Sequence, residues 1–233
     1  IRKRNNMKRI LIIAAHPDDD VLGCGGLISK YNSKNVDFKI LFIGEGSSCR
    51  FENPSSKKAK LEIEKRNSSA LKALQLLKVD DLEFNNLPCG RFDQIPIIEI
   101  NKIIEKSIHE FMPDTVLTHS LDDANNDHKI VSNAVIMATR PGANNYVNTL
   151  MSYEILSSSE WSFSNIFKPN YFEELNQDQV DSKWHALSRY ESEVKKYPFP
   201  RSKEGIETLA KYRGMQAGVK FAEAYHIIRV FKK

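Results

Sequence analysis

Two short stretches concentrate the residues that can do chemistry. The first is Ala15-His16-Pro17-Asp18-Asp19-Asp20, which follows the apolar run Ile10-Leu11-Ile12-Ile13-Ala14. The second is Thr118-His119-Ser120-Leu121-Asp122-Asp123-Ala124-Asn125-Asn126-Asp127-His128, which follows Thr115-Val116-Leu117. A buried strand that runs into three aspartates is unfavourable unless something neutralises them. His16 and Asp19, at i and i+3 across a turn shaped by Pro17, have the spacing to hold one ion together. Imidazole with carboxylate suits a first-row metal, and hydrolytic zinc sites take three protein ligands and keep one position for water. Asp18 is then a free carboxylate beside that water. His128 offers a third ligand, and Asp127 a carboxylate that orients a neighbour. His119 and Asp122 are candidates either to support the ligands or to face substrate. The plainer reading of the aspartates is that they cap the helix that follows and favour its positive end, a role that suits Asp20.

The elements that must position these residues are read from the apolar pattern. Ile10–Ala14, Phe38–Ile43 and Thr115–Leu117 are short continuous runs of the kind found in buried parallel strands. Helical patterns separate them. Val21, Leu22, Ile28 and Tyr31 follow the first strand, and Leu71, Leu74 and Leu77 repeat at spacing three in a helix from about Lys57. Ile97, Ile100, Ile104, Ile108 and Phe111 mark one helix face, and Ile130, Val131, Ala134, Val135 and Ala138 another. This alternation predicts an α/β fold, a single Rossmann-like domain with a mostly parallel sheet flanked by helices. In such sheets ligands bind beyond the carboxyl ends of the strands, where both clusters fall. Further on, Arg140–Asn145 reads as a loop, Thr149–Ile155 as a strand and the Ser-rich 157–170 as a surface loop carrying Trp161. A helix is predicted over Gln179–Lys195. Pro198 and Pro200 break the chain before a last helix over Lys203–Ala224, with Ala217, Phe221 and Ala224 on one face.

Composition narrows the class. Hydrophobic residues at 41% and charged residues at 27% are near the globular average, which argues against a disordered chain or a disulfide scaffold. No apolar run approaches the roughly 18 residues of a membrane helix, and no signal peptide is visible, so no transmembrane segment and a cytoplasmic location are expected. Cys24, Cys49 and Cys89 are odd in number and unpatterned, which suggests a reducing compartment. The net charge of +4 is mild and spread along the chain, so no nucleic-acid partner is expected. The one basic cluster opens the chain, and we divide it into a tail over 1–6 and one domain over 7–233.

The stretch from Lys8 through Ala14-Ala15-His16-Pro17-Asp18-Asp19-Asp20 to Gly23-Cys24-Gly25-Gly26 resembles the opening of LmbE-like proteins. These belong with the phosphatidylinositol N-acetylglucosaminyl de-N-acetylases, the PIG-L superfamily. Asp127-His128 is similar to the end of their second motif. Pro200–Ser202 through Arg213-Gly214 to Ala222-Glu223 is also similar to members, so the resemblance spans nearly the whole chain. It implies a Rossmann-like zinc-dependent hydrolase of N-acyl amino sugars. It implies His16, Asp19 and His128 as metal ligands and Asp18 as general base. Asp20 departs from the usual Glu. Asn125 stands where many members carry a histidine that steadies the oxyanion, and it can donate a hydrogen bond but carries no charge.

The resemblance thus implies a zinc-assisted N-deacetylase. Asp18, Asn125 and Asp127 are its catalytic candidates, and Arg50, His119 and Asp122 its substrate-binding candidates. Its partner is a small-molecule N-acetylated sugar, free, nucleotide-linked or lipid-linked, and a homo-oligomer stays open. Three other readings remain. One is a nucleotide-binding module using Gly23, Gly25 and Gly26. Another is a Mg²⁺ phosphodiesterase built on the aspartates. The third is an inactive sugar-binding relative, suggested by Asn125.

Overall fold

The computed structural model describes residues 8–32, 34–142 and 147–231. The basic tail over 1–6 and part of the loop expected at 140–145 lie outside them. The chain forms β1 (Arg9–Ala14), α1 (Asp19–Tyr31), β2 (Asp37–Gly44), α2 (Lys57–Leu76), β3 (Asp81–Leu87), α3 (Ile97–Phe111) and β4 (Thr115–His119). It continues through α4 (Asn126–Ala138), β5 (Thr149–Tyr153), β6 (Tyr171–Leu175), α5 (Gln177–Leu187), α6 (Lys203–Ala217) and β7 (Phe221–Val230). These strands make one seven-stranded sheet in the order β3-β2-β1-β4-β5-β7-β6. The first five of that order run parallel, and β7 is antiparallel to both β5 and β6.

Alternation along β1 explains the three layers. Ile10, Ile12 and Ala14 pack on one face with Val21, Leu22 and Leu27 of α1 and with Leu74, Leu187 and Ile206. Leu11, Ile13 and Ala15 pack on the other with Ile100, Ile104 and Ile108 of α3 and Val131 and Val135 of α4. A strand buried on both faces has no polar positions, hence the unbroken apolar runs. The glycines after β1 make room for contact: a Cβ on Gly23 would lie 2.4 Å from Tyr153 Cδ2, and one on Gly26 2.4 Å from Leu175 Cδ1. They seat α1 against the sheet and its neighbours, which accounts for them without a bound nucleotide.

Two strands carry no apolar run and were not legible. β3 (Asp-Leu-Glu-Phe-Asn-Asn-Leu) and β6 (Tyr-Phe-Glu-Glu-Leu) are the polar edges of the sheet. The helix expected over 203–224 ends at Ala217. Gly218 takes a left-handed conformation with φ +73, and Val219 N–H closes onto Gly214 C=O. Phe221 and Ala224 belong to β7 instead. The helix expected over 179–195 is Gln177–Leu187, opened by an Asn176/Gln179 capping box, and the chain then bends. α4 starts one turn earlier than its apolar face suggests, because Asn125 caps it.

Leu71, grouped with Leu74 and Leu77 by spacing, is 51% exposed, whereas Leu74 is fully buried. Leu74→Ala is therefore expected to lower unfolding stability by about 2–5 kcal/mol, and Leu71→Ala by under about 1 kcal/mol. Urea denaturation of the two variants checks this.

Candidate metal centre

The strand order reverses between β1 and β4, which leave the sheet side by side with Ile10 opposite Thr115 and Ile12 opposite Leu117. Their carboxyl ends form the crevice of a topological switch point. The loop after β1 brings His16, Asp18 and Asp19 there, and the first turn of α4 brings Asp127 and His128. All five are buried.

Asp19 is the centre. Its Oδ2 lies 3.6 Å from His16 Nδ1 and 3.4 Å from His128 Nε2. The three donor atoms fall within 4.8 Å of one another. Ligands at zinc distances in a tetrahedron stand about 3.3–3.5 Å apart, so the donor set fits a zinc-sized ion with a position to spare. The far nitrogen of each imidazole meets a carboxylate. His16 Nε2 is 3.0 Å from Asp127 Oδ2, and His128 Nδ1 is 3.1 Å from Asp123 Oδ1. Such partners fix the ring and leave the inner nitrogen to face a metal. His16, Cys89 and Asp127 form a second close group. There, however, His16 Nε2 and Asp127 are already bonded to each other, and Gly90 N–H donates to Asp127 Oδ2 at 2.6 Å.

Electrostatics agree with a cation at this point. Burial opposes charge on His128, but Asp19 and Asp123 outweigh it and raise its pKa to about 10. Burial likewise opposes charge on Asp19, and the His128 charge still holds that carboxyl well below the usual range. His119 behaves differently. It is fully buried, stacks on His128 with ring centroids 4.0 Å apart and accepts Ala15 N–H on Nε2 at 2.8 Å. Burial, followed by the His128 charge, pushes it down to about 3. It is a neutral support beneath the cluster, its Nε2 also 3.5 Å from Asp19 Oδ2, and of the two roles open to it in the sequence this placement favours supporting the ligands.

Asp18 is not the free carboxylate expected. Its Oδ1 pairs with Arg66 Nη2 at 2.9 Å and its Oδ2 with Arg201 Nη1 at 2.6 Å. Its backbone sits at φ 122, outside the region open to most residues, and Asp19 N–H closes the turn onto His16 C=O. Arg66 also donates to Pro17 C=O at 2.8 Å and Gly46 C=O at 3.0 Å, so one guanidinium braces the turn. Glu193 neutralises the arginines. It takes a bidentate pair from Arg50 at 2.7 and 2.8 Å, and Arg66 at 2.6 Å. Burial would raise its carboxyl, but Arg50 and Arg66 hold it at about 2. Arg50, a substrate-binding candidate, is thus tied to Glu193 while its guanidinium stays half-exposed.

In the second cluster the structure turns Asp123 inward and leaves Asp122 half-buried. Asp123 accepts Ser159 Oγ at 2.6 Å, Asn125 N–H at 2.8 Å and also Ser158 Oγ. Asn125 caps α4 by accepting Asp127 N–H on Oδ1 at 2.9 Å. Asp20 is buried against Asp18 N–H at 3.3 Å, and burial lifts its carboxyl to about 8, so it carries little charge at neutral pH.

This placement of chemistry on this sheet has relatives. Residues 11–139, more than half of the chain, match the family described as PIG-L, GlcNAc-PI de-N-acetylase, and the chain belongs to that family. It is 27% identical to a diacetylchitobiose deacetylase of Thermococcus kodakarensis over 96% of this chain and 84% of that protein. Among solved structures it is similar to N,N'-diacetylchitobiose deacetylase from Pyrococcus horikoshii, with TM-score 0.77 and 21% identity over 96% of this chain and 84% of that one. It is similar also to the 4-carboxy-2-hydroxymuconate hydratase GalB of Pseudomonas putida KT2440, with TM-score 0.74 and 21% identity over 97% and 99% of the two chains. The fold therefore serves more than one reaction, and the site must decide between them.

Asp123→Ala and Asp127→Ala, which leave all three donors in place, are each expected to weaken metal affinity 10–100-fold. Competition with a chromogenic chelator measures this. A metal at this donor set would have to displace the proton that Asp19 and Asp123 hold on His128, and the raised His16 works in the same direction, so affinity should rise at least about tenfold per pH unit between pH 6.5 and 8.5. Calorimetry in buffers of different ionisation enthalpy should register that released proton.

Proposed function

We propose that this protein is a zinc-dependent N-deacetylase that hydrolyses the N-acetyl group of a small amino-sugar derivative and releases acetate. The observation that carries the reading is the buried His16, Asp19 and His128 donor set, with each imidazole backed by a carboxylate, beside an arginine-clamped Asp18. Membership of the de-N-acetylase family and the deacetylase relative from Thermococcus support the same chemistry and the sugar as substrate class.

His16, Asp19 and His128 would hold the zinc ion, which would supply Lewis-acid activation of the attacking water near neutral pH. Asp18 is the general base that takes the proton of the attacking water and returns it to the departing amine. Burial opposes charge on Asp18, and its pKa is raised despite Arg66 and Arg201, which suits a group that must accept a proton. The two guanidiniums hold each carboxylate oxygen in a fixed direction. Asn125 uses Oδ1 to cap α4, which leaves its NH2 as the donor for the oxyanion. This neutral donor takes the place of the histidine found in many relatives. Asp127 acts through His16 as a positioning residue. Arg50, with its guanidinium at the surface, meets the polar rim of the sugar.

Acetate release from a panel of N-acetylated sugars and nucleotide sugars tests the reading. Release should stop with a chelator and return with zinc. Asp18→Asn should retain one equivalent of metal and lose about 100-fold or more of the rate. Metal bound at the triad with no acetate from any substrate would set the deacetylase reading aside. A chain that binds no metal tightly would remove its ligands.

A further inference from the structure

Cys49 and Cys89, forty residues apart in sequence, meet at the rim of the site. Their Sγ atoms are 3.1 Å apart. Cys49 is in the single helical turn that follows β2 and is exposed, while Cys89 follows β3 and is buried. Neither has a role in the hydrolysis described above.

The contact is built by other residues. Glu45, itself buried, accepts Ser47 N–H at 2.5 Å and Ser48 N–H at 2.8 Å on one oxygen, and Cys89 N–H at 2.8 Å on the other. One carboxylate thereby stitches the loop carrying Cys49 to the loop carrying Cys89. Gly90 follows at φ +71, and a Cβ there would stand 3.3 Å from Cys49 Cβ, so the two backbones approach closely. Gly90 N–H in turn holds Asp127, which holds His16.

From this geometry we propose that Cys49 and Cys89 form a thiol–disulfide exchange site for small-molecule disulfides, with Cys49 as the reacting thiol and Cys89 as the resolving one. The Cys49 thiolate attacks one sulfur of the small disulfide, forms a mixed disulfide and expels one small thiolate. Cys89 gives up its proton and attacks Cys49 Sγ, which forms the Cys49–Cys89 bond and expels the second small thiolate. Two protein thiols are oxidised, one small disulfide is reduced, and the two thiol protons pass to the released thiolates. The sulfurs need only close from 3.1 Å to about 2.05 Å. The hydrogen bond from Cys89, then the Arg50 charge, lower the Cys49 thiol to about 6, which suits an attacking group near neutral pH. Cys24 is buried inside α1 and lies outside the exchange.

Closure also draws on the Cys89–Gly90 step that holds Asp127. It should weaken metal binding at least tenfold, reversibly, and this part rests on the metal-centre reading.

The test incubates the reduced full-length protein with glutathione disulfide under native conditions, blocks remaining thiols and maps the peptides by mass spectrometry. The expected result is one cross-linked pair, Cys49 with Cys89, and a free Cys24. Cys89→Ser should trap glutathione on Cys49, and Cys49→Ser should leave Cys89 reduced. A lasting glutathione adduct on Cys49 of the unsubstituted protein, a cross-link to Cys24, or reaction only after unfolding would each overturn the site. The mapping on the unsubstituted protein decides even if a variant fails to fold. Zinc affinity is then compared between desalted oxidised and reduced protein. Equal affinities would overturn the coupling to the pocket. The mass result stands or falls independently of whether the protein deacetylates anything.

Discussion

Five carboxylates buried at one end of a sheet are the constraint that organises this molecule. Asp18, Asp19, Asp20, Asp123 and Asp127 are each no more than 1% exposed. A carboxylate removed from water costs several kcal/mol unless charge or hydrogen bonds replace the solvent. The protein answers each in a different way. Asp18 has two guanidiniums. Asp19 has the imidazoles of His16, His119 and His128 around one oxygen, which also accepts the His16 backbone N–H. Asp20 takes a proton. Asp123 has His128 and two serine hydroxyls, and Asp127 has His16 and backbone N–H groups. The crevice between β1 and β4 is where these solutions can coexist, because helices and loops from both halves of the chain converge there.

The guanidiniums need neutralising in their turn, and this extends the constraint outward. Arg66 reaches in from the buried stripe of α2, and Arg201 from the segment before α6. Glu193, in the bend after α5, balances both, together with Arg50. Segments remote in sequence are thereby tied to the turn that presents Asp18. The unusual backbone at Asp18 is held from three directions, the over-determination a strained conformation needs to persist.

Much of the centre was legible in the sequence because it is local. His16, Asp18 and Asp19 share one turn, Asp127 and His128 share another, and the apolar runs before them mark both as strand ends. The parallel core was legible for the same reason. The supports were less so. Arg66 left a trace, since it falls in register with Ala59, Ala70 and Ala73 on the buried face of α2. A charge on such a stripe is a signal that needs a partner. Glu193 left none, as its bend lies 127 residues beyond Arg66 in a segment whose pattern resembles helix. Between Asp122 and Asp123 the sequence pattern does not choose, and the positions of His128, Ser158 and Ser159 around Asp123 settle it. The final strand was hidden because Ala217, Phe221 and Ala224 satisfy helical spacing, and a single left-handed glycine overrides it.

The place of β7 has a consequence for how the chain is made. It is the last described strand, yet it lies between β5 and β6, so neither can pair on that side until residues 221–230 have been synthesised. The donors His16, Asp19 and His128 and the parallel core from β3 to β5 are complete much earlier along the chain. A nascent protein would therefore carry the His16, Asp19 and His128 donors beside an open edge at β5, an edge of the kind that invites pairing with another chain. Arrival of β7 closes that edge after Arg201 has emerged to reach Asp18. Synthesis thus delivers His16, Asp19, His128 and the Arg66 arm of the Asp18 clamp first and the Arg201 arm late, and the β5 edge stays open to pairing with another chain until residues 221–230 follow.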